Sequence, residues 1–246
     1  MTMAGAVVLL AGAGPAALEG QQWTWPERAE NLTELPADFP PERLSAVMRG
    51  VTSALGVRCS HCHVGEEGQP LSTFDFVSDA NPNKDRARAM YRMLGLVNDQ
   101  LDEIEPSGAE RVNMWCHTCH NGKPRPQTLA EAVDERYRSE GGEAAWARFV
   151  ELRDRYFGAA AYDFTAGSVD ALGSAFLAQD DTATAHRFLE DNVARWPEHW
   201  QAQESAAGVW LARGDTARAV QHLERSLELL PSNPRARATL ERLRGG

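Results

Sequence analysis

Leu44-Ser45-Ala46-Val47-Met48-Arg49-Gly50-Val51-Thr52-Ser53-Ala54-Leu55-Gly56-Val57-Arg58-Cys59-Ser60-His61-Cys62-His63 runs from a helical pattern straight into a cysteine motif. Leu44, Val47, Met48, Val51 and Leu55 recur at the spacing of one helix face, and Pro41 ahead of them suits a first helical position. Gly56 ends the pattern and C-x-x-C-H follows at once. The same spacing returns at Cys116-His117-Thr118-Cys119-His120. Between the two lie a polar loop from Gly65 to Asn83 and a second helix expected over Lys84 to Ile104. Its apolar stripe includes Met90, Leu94, Val97 and Leu101. Pro106-Ser107-Gly108 should break that helix.

A histidine directly after C-x-x-C has a chemical reason. Two cysteines at this spacing can each bind one vinyl group of a haem through a thioether, and the tight turn sets the next residue beneath the iron. On that reading Cys59, Cys62, Cys116 and Cys119 anchor two haem c groups, and His63 and His120 are the proximal iron ligands. All four cysteines of the chain fall in these motifs. A four-cysteine zinc site would set its pairs about 15–20 residues apart, whereas 53 residues separate Cys62 from Cys116. A thioredoxin-like pair needs a strand-and-helix setting that the pattern lacks. Disulfides would leave both histidines without a role. His61 and His117, inside the motifs, are expected at a haem edge or in solvent.

The chain has 246 residues, 43% hydrophobic and 24% charged, which is enough for one large core or two ordinary ones. A net charge of −10 and a pI near 5.2 disfavour nucleic acid and favour docking onto basic patches of redox protein partners. Met1 to Ala13 form a short apolar run closing in small residues, as expected of a secretory signal peptide within residues 1–20. The run is too short to span a bilayer, so no transmembrane segment is expected in the mature chain. The expected location is periplasmic or extracellular.

Past Asn121-Gly122-Lys123-Pro124-Arg125-Pro126 the composition changes to a helical pattern rich in Ala, Glu, Arg and Leu, which sets a domain boundary between residues 126 and 127. Leu177, Ala178, Asp181, Thr182, Ala183, Ala185, Leu189, Glu190 and Pro197 recur 34 positions later as Leu211, Ala212, Asp215, Thr216, Ala217, Ala219, Leu223, Glu224 and Pro231. That is the tetratricopeptide period, and this half resembles that family. Helices over Leu129 to Arg138 and Glu143 to Tyr156 should precede the two repeats, with a capping helix over Asn233 to Leu243. Trp196, Trp200 and Trp210 are expected in the repeat core, and His186, His199 and His222 at its surface. The expected fold class is all-α: a small di-haem domain over residues 21–126, then a helical repeat domain over residues 127–246.

Periodicity leaves the sixth ligand of each iron open. Met48 lies on the apolar face of its helix within reach of the first motif, and Met90, Met93 and Met114 are candidates for the second, although Met114 is tethered too closely to Cys116. Asn31-Leu32-Thr33-Glu34-Leu35-Pro36 through Met48, then Ala54 to Gly65, and Arg88-Ala89-Met90-Tyr91-Arg92-Met93 with Asn98, resemble the cytochrome subunit of photosynthetic reaction centres. The likeness covers about residues 31–126, one two-haem half of that four-haem subunit. It implies that Met48 and Met90 are the distal ligands of the first and second haem. The family's histidine ligand would fall near Ile104, where this chain has none, so both haems are expected to be Met/His. The second haem pair of the family is absent, and the repeat domain stands in its place.

Methionine and histidine together raise the potential of a haem and close its iron. The expected activity is therefore electron relay between redox partners, with no catalytic residue. The alternatives are a di-haem peroxidase, which needs one open iron, and a haem-bearing filament assembled through the repeats.

Overall fold

The computed structural model describes residues 23–104 and 113–245. The signal peptide expected in residues 1–20 and the Pro106-Ser107-Gly108 break lie outside them. Among the described residues all regular secondary structure is helical, and the only β-type pairing is an isolated bridge between Val64 and Asp75. The chain is all-α, as its periodicity implied. Its contacts divide it into two units, Ala54–Gly56 with His117 onward forming one, and the residues up to Ser53 with Val57–Cys116 forming the other. The division falls inside the second motif, ahead of the change in composition at residue 126. The residues that follow the motif are already bonded into the repeat half: the Asn121 side chain donates to the Ala160 carbonyl, and the Lys123 ammonium to the carbonyls of Gln127 and Ala161.

In the first unit, α1 spans Pro41–Leu55 and α2 spans Pro82–Ile104. The α1 face works as expected, with Leu44 5% exposed, and Gly56 ends the helix in the left-handed region at φ 63°. The first motif then folds as a 3₁₀ turn over Cys59–His61, closed by the His63 amide donating to the Cys59 carbonyl at 2.9 Å. The polar loop is held to α2 by Lys84. Its buried ammonium donates to the carbonyls of Phe76, Val77 and Ser78 at 2.9–3.0 Å and pairs with Asp79 at 3.0 Å. Those partners replace the water that a buried charge would otherwise lack.

The second unit holds the helices α4 Leu129–Glu140, α5 Gly142–Tyr156, α6 Ala166–Ala178, α7 Thr182–Arg195, α8 Trp200–Ala212, α9 Thr216–Leu229 and α10 Pro234–Gly245. They follow α3, the short helix Cys116–His120. Thr182 opens α7 and Thr216 opens α9, 34 positions apart, as do Ala166 of α6 and Trp200 of α8. Asp181 and Asp215 cap these helices alike, each carboxylate accepting the amide three residues on. Small residues stand where paired helices meet: Ala185 and Ala219 are both fully buried, and a Cβ on Gly173 would lie 2.5 Å from Leu189 Cγ. α6 packs on α7, α7 on α8 and α8 on α9, with α4 and α5 as the leading hairpin and α10 against α9. The repeat half is thus a tetratricopeptide-like stack with one hairpin ahead and one capping helix behind. Its core is aromatic, with Phe188 within 5.0–5.2 Å, centre to centre, of Phe149, Trp146 and Phe176.

Two expectations for this half need correction. Of the three tryptophans only Trp210 is buried. Trp196 is the C-cap of α7 and 38% exposed, because a residue at the end of a helix no longer follows its buried face. His186, His199 and His222 are half-buried, not surface residues. The His222 ring contacts the Gln203 amide oxygen at 2.8 Å, and His186 meets the Trp210 ring edge to face at 4.7 Å.

Candidate functional site

Met48, Cys59, Cys62 and His63 come from two segments, the apolar face of α1 and the turn after it, and all four line one cavity of about 430 Å³ in the first unit. Its other walls are mainly apolar: Trp23, Leu35, Leu44, Val51, Val57, Leu71, Phe74 and Phe76, with Tyr91 of α2. A space of this size and lining suits a largely apolar small ligand. His63 stands edge-on to Phe76 at 4.9 Å, which in turn stacks near Phe74 at 5.7 Å. Burial, then the positive charges of Lys84 and Arg88, holds the His63 imidazole below its ordinary pKa. The ring is thus neutral near pH 7, the form with a lone pair to offer a metal. Its Nδ1 is buried without a hydrogen-bond partner. Burial raises the Cys62 thiol, with Cys59 beside it acting in the same direction.

Charged residues from several segments also line the cavity, among them Arg28, Glu34, Arg58 and Asp75. Lys84 and Arg88 both line the cavity and both hold Asp79 at 3.0 Å. Hydrogen bonds from Arg88, then from Lys84, keep the Asp79 carboxyl down at about 2.

The residues expected around the second motif are divided between the units. Met90 and Cys116 belong with the first, Cys119 and His120 with the second. In the first unit, Asn98 brackets the backbone of Met114, donating to its carbonyl at 3.1 Å and accepting its amide at 2.8 Å. Trp115 then meets Tyr91 edge to face at 6.0 Å. Burial, then the nearby Cys116, pushes the Tyr91 phenol up to about 12, and its hydroxyl is buried without a partner. Met90 is 47% exposed on α2 and Met93 48%, so the helix presents both alike. In the second unit, His120 Nδ1 lies 3.0 Å from the Lys123 carbonyl. A carbonyl only accepts, so that contact keeps the hydrogen on Nδ1 and frees Nε2.

The partners of Lys84, Tyr91, Asn98 and Lys123 could not be read from the sequence. A lysine or asparagine gives no periodic signal of being buried, and only its partners reveal it.

No protein-family description and no curated protein matches this chain. Among solved structures it is similar to the first tetratricopeptide domain of Spaghetti (RPAP3) bound to the HSP90 peptide SRMEEVD. That likeness is 20% identical, covers 48% of this chain and 88% of that one, and has a TM-score of 0.36. The N-terminal domain of stress-induced protein-1 from C. elegans is 17% identical over 47% of this chain and 91% of its own, at 0.35. MamA is 15% identical over 70% and 86%, at 0.36. At such scores the repeat reading rests on this chain's own hairpins. No helix among the described residues is long and apolar enough to cross a membrane.

Proposed function

We propose that this chain is a di-haem c-type cytochrome of the periplasm or cell exterior that relays electrons between redox partners. The observation that carries the reading is the meeting of Met48, Cys59, Cys62 and His63 on one apolar cavity. The residues fit a haem. Two thiols at the required spacing would hold it covalently, and the neutral His63 ring and the Met48 thioether would be its iron ligands. In the second site Cys116 and Cys119 would be the anchors and His120 and Met90 the ligands. Bound haem c exchanges single electrons at its iron.

The protein's own groups do the rest. The apolar walls would shield a bound haem from water. Lys84 and Arg88 line the same cavity with their charges paired to Asp79 and Asp85. With Met48 and Met90 as ligands the irons would be closed to small molecules, which favours relay over a peroxidase reaction. The repeat half would supply the docking surface, because stacks of this kind present a concave face to a peptide or helix. Its partner would be a redox protein with a basic patch, or another copy of this chain in a filament.

Carbon monoxide added to the reduced, undenatured protein tests the reading. Closed irons predict an unchanged spectrum and a methionine-to-iron charge-transfer band in the oxidised form. Ready binding at either haem, with that band absent, would favour the peroxidase alternative.

A further inference from the structure

We infer that Lys123 is a positioning residue for the second haem, tying the ligating ring of His120 to the repeat half; this rests on the haem reading above. The His120 ring is oriented by the Lys123 carbonyl, 3.0 Å from its Nδ1. Such a partner fixes the tautomer of a metal-binding histidine, sets its rotation and raises its basicity. The carbonyl can do so only as firmly as residue 123 is itself held, and here the side chain holds it. Lys123 is 8% exposed. Its ammonium donates to the Gln127 carbonyl at 2.6 Å and to the Ala161 carbonyl, and it lies 4.0 Å from the centre of the Tyr162 ring.

The backbone between ring and anchor is short and fixed. Asn121 and Gly122 both lie in the left-handed region, at φ 47° and 82°, and the Lys123 amide donates back to the His120 carbonyl at 3.1 Å. Asn121 adds a second tether to Ala160. Residues 160–162 join α5 to α6, so the anchor belongs to the segment that leads into the first repeat. His63 has no counterpart, its Nδ1 being without a partner. The two proximal histidines therefore differ, and displacement of residues 160–162 is transmitted to the ligand of the second haem alone.

The test uses the full-length haem-loaded protein as wild type, Lys123→Met and Lys123→Arg, with Met48→His marking the signals of the first haem. Electron paramagnetic resonance and a spectroelectrochemical titration report each iron. Lys123→Met should shift the g-values and midpoint of the unmarked haem and leave the marked one in place, and Lys123→Arg should restore the shifted values. Two bound haems that both ignore Lys123→Met, or that shift equally, would overturn the positioning role while leaving the haem reading intact. A wild-type protein whose pyridine haemochrome shows no haem would overturn both. A readout independent of the cofactor is the ¹⁵N shift of His120 in haem-free protein, where Lys123→Met should reduce the preference for hydrogen on Nδ1. Should that variant fail to fold, Lys123→Gln, which keeps a donor but shortens its reach, carries the same expectations.

Discussion

Replacing Gly56 by alanine should destabilise the protein by about 2–3 kcal/mol, and the structure shows how that figure divides. Gly56 sits at φ 63°, where an L residue costs about 1–2 kcal/mol. Its new Cβ would lie 2.1 Å from the Gly122 carbonyl oxygen, far inside contact distance, so that backbone must move. The Gly122 amide donates to the Ala54 carbonyl at 2.8 Å, and losing that bond adds about 1 kcal/mol. Gly122 supplies the control. It too is left-handed, at φ 82°, but a Cβ there meets nothing within 4 Å, so Gly122→Ala should cost only the conformational part. Followed by circular dichroism, Gly56→Ala should lower Tm by about 4–12 °C, and Gly122→Ala by less. Equal losses in the two variants, or a Tm unchanged in Gly56→Ala, would refute the contact between the end of α1 and the loop after the second motif.

The repeat core should be more sensitive still: Phe188→Ala removes a ring with no exposed surface and should cost about 3–5 kcal/mol in a denaturant titration, and a loss under about 1 kcal/mol would contradict the packing described. Asp170 behaves oppositely. Burial raises its pKa above the unfolded value, so the fold holds the proton more tightly and stability falls as pH rises through the carboxylate range. Asp170→Asn, at a carboxylate whose buried Oδ1 lacks a partner, should flatten that slope and stabilise by about 0.5–1 kcal/mol at pH 7, a figure reduced for partial exposure; a less stable variant with the slope retained would count against it. For the site itself, Met48→Ala should open one iron to carbon monoxide, whereas Met93→Ala should leave both spectra unchanged.

Much of the architecture can be read from sequence because it rests on period. The stripe from Leu44 to Leu55, the left-handed stop at Gly56 and the 34-residue recurrence of Asp181 and Ala185 all have counterparts in helix ends, caps and contacts. α2 begins at Pro82, two residues ahead of its expected start at Lys84, and the Asn81 carboxamide accepts the Asn83 amide at 3.1 Å in its first turn. What period cannot convey is the fate of single polar groups. His186 and His222 are expected at the surface, yet they sit half-buried beside Trp210 and Gln203, because helix spacing says nothing about what a neighbouring helix brings. The same limit applies within the site. The helix face brought Met48 within reach of the first motif, and it lines the same cavity, while Met90 and Met93 share the exposed side of α2 and no pattern separates them. The division of the second motif between two units depends on carbonyls near residue 160, far from it in sequence.

The central claim is tested most directly by counting covalent haem. Full-length protein secreted from cells equipped for c-type haem attachment, denatured and weighed by mass spectrometry, should exceed the mass of its polypeptide by two haem groups. Substituting Cys59 and Cys62 together should remove one of them and substituting Cys116 and Cys119 the other. A mass equal to the bare polypeptide, under conditions in which a known c-type cytochrome is fully loaded, would contradict the account.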